Sequence, residues 1–323
     1  MAIKYWIIIL CLLFAVAGCS GGATDGEEHV DLSDPLNGES IVTAADLIAF
    51  IQNGKSNTAT LAASINVADE FLDITPERGP LTIIGNGNTI TGNGDCVIRL
   101  GDGCELTLED VTIVGGSGAI GCLGSATLGG QANVNAVSHA IDCKESLTFA
   151  SDSRFYIKSN MGSAIHAQAL ILEEDARVLT TGGASVVDVF QDDVTLMENT
   201  TLEAVTQTNY NAMKCAGALV MRDGSKLIVS NSGDYHGAEV NELEIEGLVT
   251  IEATGGSKGV GLFLFDLEQT YYLLGFCEPA ARNEVGNGAL NFVSDASQIP
   301  TPEPTPDEEA ETGAEDAEET PAP

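Results

Sequence analysis

Cations are scarce in this chain: 13 lysines and arginines stand against 48 acids, for a formal net charge of −35 over 323 residues. Nucleic-acid binding needs clustered cations that release counterions from phosphates, so that class is excluded. The same balance opposes docking on anionic lipid and, unless a divalent cation bridges, on acidic polysaccharide. Aromatic residues are also few, at 5% with one tryptophan. Sugar binding usually uses exposed aromatic planes, and here the donors reduce to Tyr156, Tyr210, Tyr235, Tyr271 and Tyr272. After residue 17 no apolar run is long enough to span a bilayer. No cysteine pair has the short spacing of a zinc ribbon, so Cys96, Cys104, Cys122, Cys143, Cys215 and Cys277 read as core thiols. No metal site and no cofactor is expected, a bridging divalent cation aside.

What is present at the start is a leader. One cation, Lys4, precedes an apolar run over residues 7–17, then Gly18 and Cys19, which is the layout of a signal peptide over residues 1–18. Val16-Ala17-Gly18-Cys19 resembles the bacterial lipobox. That resemblance implies export, cleavage before Cys19 and lipidation of its thiol, with the membrane as a partner on the extracytoplasmic side. More than one acyl chain is what stable anchoring takes. Residues 19–40 are Gly-rich and acidic without an apolar period, and read as a flexible tether. At the other end, residues 294–323 are rich in Pro and Glu. Ten acids and no cation fall between Asp295 and Glu319, and this segment reads as a disordered tail. Without those ten, roughly 25 negative charges remain, so the body is itself acidic.

Between the two lies an internal repeat, over residues 41–293. Four-residue segments recur about every 23 residues: Val97-Ile98-Arg99-Leu100, Ala119-Ile120-Gly121-Cys122, Ala140-Ile141-Asp142-Cys143, Ala164-Ile165-His166-Ala167, Val186-Val187-Asp188-Val189, Ala212-Met213-Lys214-Cys215, Gly237-Ala238-Glu239-Val240 and Gly259-Val260-Gly261-Leu262. The second and fourth positions are apolar in all eight, and the third is mostly charged, Gly or His, which is the signature of a strand with one face inside. A second short strand follows in each copy, as in Leu106-Thr107-Leu108 and Leu147-Thr148-Phe149, and then a third, as in Val111-Thr112-Ile113 and Leu227-Ile228-Val229. Three strands and three Gly/Asn/Ser/Asp-rich corners make a triangular coil. Strands this short bury a face only by stacking coil on coil, so the expected fold is an all-β parallel β-helix of about nine coils. Ahead of it, Thr43 as N-cap, Asp46 in the first turn, Leu47, Ile48 and Ile51 on one face and Gly54 as a stop predict a short helix that caps the open end.

The string Leu81-Thr82-Ile83-Ile84-Gly85-Asn86-Gly87-Asn88-Thr89-Ile90-Thr91-Gly92, followed by this ladder, resembles the right-handed parallel β-helix proteins of the pectate-lyase-like superfamily. The resemblance covers roughly residues 41–293 and implies the fold, with ligands or substrates handled on an outward face.

The third positions line up on that face as Arg99, Gly121, Asp142, His166, Asp188, Lys214, Glu239 and Gly261. Rungs about 4.8 Å apart put Asp142 and Asp188 roughly 9 to 10 Å from each other with His166 between. That is near the upper end of the ~6.5–9.5 Å carboxylate separation of inverting glycosidases, so these three are the candidate catalytic set. Arg99, Lys214 and Glu239 extend the same face as candidate ligand contacts. The opposing reading is a solvated face on which alternating charge relieves like-charge stacking. Gln191-Asp192-Asp193 and His236-Gly237 resemble fragments of polygalacturonase motifs, but the Asn-Thr-Asp and Arg-Ile-Lys portions are missing. Outward Thr107, Thr127, Thr148 and Thr195 suggest a threonine ladder that Ile171 and Val220 interrupt. The favoured function is a lipid-anchored, surface-displayed, adhesin-like binding module for carbohydrate or a surface protein. The alternative is a polysaccharide hydrolase or lyase using Asp142, His166 and Asp188.

The anchor is tested by Cys19→Ala, which should convert a membrane-associated protein into a released or unprocessed one. Detergent partitioning identical to the wild type refutes the lipobox assignment.

Overall fold

A computed structural model describes residues 37, 38 and 40–300. The leader, Cys19, the expected tether apart from residues 37, 38 and 40, and residues 301–323 of the tail lie outside the described residues.

Most strands of the repeat alternate buried residues with half-buried or exposed ones, as in Ile98–Leu100, Ile120–Cys122 and Val187–Val189. The twenty-four strands of the described residues pair in parallel, interior strands with counterparts one coil earlier and one coil later and those of the end coils on one side only. The result is a parallel β-solenoid of about nine turns with one short helix near its start. The first-strand row stacks Leu72, Ile98, Ile120, Ile141, Ile165, Val187, Met213, Ala238 and Leu262 in register, and all are buried. Burying one such side chain contributes about 1.5–3 kcal/mol, so a three-residue strand with two of them is stable only because its neighbours supply the other wall of the pocket. Coiling also begins earlier than residue 81. Thr58–Thr60, Ile65–Asn66 and Leu72–Ile74 form a coil that pairs with the next.

The corners are of two kinds. Some are tight turns, such as that at Gly115, where a Cβ would collide with the Gly118 carbonyl. Others are bends within a continuous strand: Ile141–Phe149 and Met213–Met221 carry two sides of the triangle each, with the register shifting between Cys143 and Ser146 and between Cys215 and Ala218. An extra unpaired residue lets a strand change direction without losing its ladder.

Two registers differ from the sequence alignment. In the eighth copy, Ala238 pairs with Leu262 and Glu239 with Phe263, so the outward residue is Phe263 and not Gly261. Likewise Thr107 pairs with Gly129 while Thr127 sits against Glu105, so Thr107 lies outside the row formed by Thr127, Thr148, Ile171 and Thr195. A slip of two residues leaves the inside/outside alternation unchanged, so hydrophobic pattern alone is blind to it. The hydrogen-bond ladder is not.

The helix Ala44–Asn53 starts where expected, with Thr43 Oγ1 accepting from the Asp46 amide at 3.1 Å and the Gly54 amide closing back on the Phe50 carbonyl. Its buried face is Leu47, Phe50 and Ile51, with Ile48 half-buried. Arg78 lies 5.1 Å above the Phe50 ring. Residues 296–298 form a 3-10 turn capped by Asp295. The six cysteines of the described residues are free. Cys104, Cys122, Cys143 and Cys215 are buried, and burial pushes the Cys215 thiol up to about 11.

Cys122 and Val189 both point into the stack and are almost wholly buried. Cys122→Asp or Val189→Asp leaves a charge with no partner there, a penalty of several kcal/mol. Either variant should unfold the solenoid at temperatures the wild type survives, as read by circular dichroism. Coincident melting curves would show that the inward assignment is wrong.

Candidate functional site

The first-strand register assembles one outward column: Asp73, Arg99, Gly121, Asp142, His166, Asp188, Lys214, Glu239, Phe263 and Arg282. Asp142, His166 and Asp188 therefore occupy three consecutive rungs. Arg99 is spoken for: its guanidinium holds the Asp73 carboxylate in two bonds of 2.9 and 2.7 Å and lies 4.0 Å from the Phe71 ring centre. Glu239 accepts from the Asn211 amide at 2.8 Å, and Lys214 stands exposed between Asp188 and Glu239.

At the centre of the column His166 Nδ1 meets Asp142 Oδ1 at 2.8 Å, and Lys144 approaches the other carboxylate oxygen at 3.3 Å. The hydrogen bond to His166 holds the Asp142 carboxyl below its ordinary range, and the same bond raises the His166 imidazole above its own. His166 is clamped between two rings, stacked on Phe190 at 4.8 Å and tilted against His139 at 5.3 Å. His139 and Phe190 were not singled out from the sequence. They flank the repeat segments, where the period carries no information. His139 Nδ1 is buried with no hydrogen-bond partner among the described residues. Beside it is a cavity of about 230 Å³ lined by Asp95, Cys96, Ser117, His139 and Asp142.

Chemically, an oriented histidine with a carboxylate behind it can relay a proton. A glycosidase pair needs something further, a carboxyl whose pKa is raised so that it can act as general acid. Asp142 is shifted the opposite way.

A second feature lies at the turns that lead from the third strands to the first. Three successive turns, at residues 207–212, 232–237 and 255–261, are tied together. The buried Asn231 amide donates to the carbonyls of Tyr210 at 2.7 Å and His236 at 3.2 Å, and its oxygen accepts from the Gly233 amide. Asn211 accepts from the His236 amide, and Asp234 bonds Ser257 at 2.6 Å and Lys258 at 2.7 Å. Gly259 has no substitute, because a Cβ there would strike the Tyr235 carbonyl. The turns enclose a cleft of about 710 Å³ lined by Asn209, Tyr210, Asp234, Tyr235, His236 and Lys258. Tyr210 and Tyr235 are 56% and 51% exposed on neighbouring coils. His236 Nδ1 accepts from the Val260 amide at 3.0 Å, which leaves the proton of the neutral ring on Nε2, and burial keeps this imidazole below its ordinary pKa. The sequence carries a signal for this cleft in its spacing. The segments starting at 186, 212 and 237 lie 26 and 25 residues apart, longer than their neighbours, and part of the excess is in these turns: Thr206 to Met213 and Asn231 to Ala238 take seven steps each where the registered counterpart, Gly182 to Val187, takes five.

Of the other tyrosines, Tyr271 is half-buried with its hydroxyl on the Leu243 carbonyl, while Tyr156 and Tyr272 are exposed elsewhere. Among the described residues no group of three or more His, Cys, Asp or Glu is placed to hold a metal ion.

Neither a family model nor a curated protein matches the sequence. A solved structure described as L. reuters 100-23 SRRP superposes with a TM-score of 0.39 at 14% identity, over 79% of this chain and 94% of that one.

The Asp142–His166 pair makes a pH-dependent contribution of known sign. His166 has a raised pKa, so its contribution is complete below the unfolded value of about 6.5 and is lost as pH rises through the folded value. Asp142→Asn should therefore lower the melting temperature at pH 5.5 more than at pH 8.5, by a margin worth under about 1 kcal/mol for so exposed a pair. The imidazole should also titrate at lower pH by NMR. An unchanged His166 titration refutes the pairing.

Proposed function

We propose that this protein is a glycan-binding solenoid, anchored by lipid on Cys19 and displayed on the extracytoplasmic side of a bacterial membrane. The observation that carries the binding reading is the Tyr210–Tyr235 cleft. Two tyrosine planes on neighbouring coils offer faces for the apolar sides of pyranose rings, and Asn209, Asp234, His236 and Lys258 provide donors and acceptors for hydroxyls. Ligand sites are concave, part apolar, and carry a few convergent polar groups, and this cleft is of that kind. Its walls are cross-bonded through Asn211 and Asn231, so little ordering is left to be done on binding. Export and anchoring rest on the leader and its lipobox-like end.

On this reading the column Arg99, Asp142, His166, Asp188, Lys214 and Glu239 is a solvated, charge-alternating face. A polysaccharide hydrolase or lyase is the second reading, favoured by the oriented Asp142–His166 pair beside the 230 Å³ cavity.

One experiment separates the two. The purified solenoid, its Tyr210→Ala with Tyr235→Ala variant and its Asp142→Asn with Asp188→Asn variant are passed over a panel of immobilised neutral glycans, scoring retention and product release. The tyrosine variant should lose retention by about tenfold or more, at ~1–2 kcal/mol per lost stacking plane, with a melting temperature near the wild type. The aspartate variant should retain glycan. Full retention by the tyrosine variant defeats the cleft assignment. Cleavage by the wild type that the aspartate variant lacks, at equal stability, makes the column an active site.

A further inference from the structure

The third-strand face carries a second, differently charged surface. Arg154 and Arg177 are direct neighbours in register, about 4.8 Å apart along the stack. Lys158 projects from the same face of the Arg154 strand, four residues further on, and all three side chains are exposed. Like charges so placed repel. Six other cations, Arg99, Lys144, Arg222, Lys226, Lys258 and Arg282, pair with a carboxylate. Arg154, Lys158 and Arg177 form no ion pair and no side-chain hydrogen bond with any described residue, although Asp152 and Asp175 precede the two arginines by only two residues. Three cations are thus held together without an anion on a rigid strand pair.

The register of the stack decides what can reach them. Arg177, Thr201, Lys226, Thr250, Leu274 and Val293 are consecutive partners. The last strand, Leu290–Val293, therefore ends in the arginine column, five rungs or about 24 Å from Arg177 and about 29 Å from Arg154. No acid stands in the column between, and Glu252 beside it is held by Lys226. Past Val293 the chain carries Asp307-Glu308-Glu309, then Glu311, Glu315-Asp316 and Glu318-Glu319, with no Lys or Arg. An extended chain advances ~3.3 Å per residue, so about nine residues cover 29 Å. Asp307 is fourteen residues past Val293 and reaches the patch with chain to spare. A segment tethered this closely has an effective concentration in the millimolar range, so a contact too weak to hold two molecules together forms within one.

We propose that the patch of Arg154, Lys158 and Arg177 is the docking surface for this chain's own acidic segment, residues 307–319, which runs back along the third-strand face and lays its carboxylates there. The guanidinium forks take carboxylates through paired hydrogen bonds, and Lys158 takes one as a point charge. The body is acidic as a whole, yet at physiological ionic strength the Debye length is about 8 Å, so the segment responds to the cations beneath it more than to acids on distant coils. So placed, it covers a cavity of about 280 Å³ that Arg154, Tyr156 and Arg177 border together with Gln131, Asn133 and, at the rim, Asp110. An anion arriving from solution must displace it. The contact is independent of the Tyr210–Tyr235 cleft and of what binds there.

The test uses the full chain. A water-soluble carbodiimide joins a carboxylate to an amine only where the two touch, and links within single chains are mapped by mass spectrometry of the monomer band. Lys158 should carry at least about fivefold more links to residues 307–319 than Lys214, which is equally exposed but on the first-strand face, as expected of a tethered, localised contact. Arg154→Gln with Arg177→Gln leaves Lys158 in place and, at exposed positions, should melt as the wild type. That pair should bring the Lys158 links down to the Lys214 level, and so should high salt. By NMR, the Arg154 and Arg177 Nε–H resonances should move when the eight acids of residues 307–319 are replaced by their amides. Links spread evenly over Lys158 and Lys214, Lys158 links that survive the glutamine pair, or arginine resonances that stay in place each overturn the proposal. Lys158 links found only in the dimer band transfer the occupant to a second copy and overturn the assignment to the chain's own segment.

Discussion

Every interior strand of the described residues depends on the coil above and the coil below. A three-residue segment such as Val187–Val189 buries two side chains and satisfies its backbone only through parallel partners on either side. That dependence fixes the rest. Inward positions are apolar along most of each coil, and polar ones such as Thr180 and Asn231 are hydrogen-bonded inside the fold. Outward positions are free in kind but not in place, since each stands about 4.8 Å from its equivalents. The ends, where a coil has only one neighbour, need covering, and the helix Ala44–Asn53 does this at the start by setting Leu47, Phe50 and Ile51 against the first coils.

The same constraint turns a one-dimensional sequence into columns of side chains, so chemistry on this fold is a matter of which residues are stacked. In the first-strand column the stacking alternates sign, Asp73 with Arg99 and Asp142 with His166, and each pair relieves its own charges. In the third-strand column the stacking of Arg154 on Arg177 does the opposite. Within one acidic molecule the two columns are therefore not equivalent surfaces. The first is internally compensated, and an incoming charged ligand must compete with partners already in place. In the second, Arg154 and Arg177 have no carboxylate partner among the described residues, whereas Lys226, two rungs beyond Arg177, pairs with Glu252.

How much of this was legible in the sequence follows from what a period of two can and cannot encode. Inside and outside were readable at nearly every position, because Ile98, Ile120, Ile141 and Ile165 share a parity that no other arrangement explains. Rung order was readable for Asp142, His166 and Asp188, where spacing and apolar pattern agree. Register failed at Gly261 and Thr107, because a two-residue slip preserves parity and only backbone hydrogen bonding breaks the tie. The period does not place residues outside the strands, although its longest spacings mark the turns that carry Tyr210 and Tyr235. His139, Phe190 and the turn tyrosines gain their positions from loops, and a loop's conformation depends on amides such as Asn231 whose partners are in other coils.

Irregularity is nevertheless where the concave surfaces lie. A perfectly regular solenoid presents flat ladders with no concavity, and a ligand on such a face buries little of its own surface. Two extra residues lengthen each of the turns at 207–212 and 232–237, and it is there that Tyr210 and Tyr235 line a cleft. The bulge between Glu109 and Val111 similarly steps the strand so that Asp110 stands at the rim of the arginine-bordered cavity. The stack supplies rigidity through repetition, and each departure from repetition converts part of that rigidity into a shaped, preorganised recess. In a repeat fold of this kind, the copies whose lengths break the period are accordingly the ones to inspect first for a binding site.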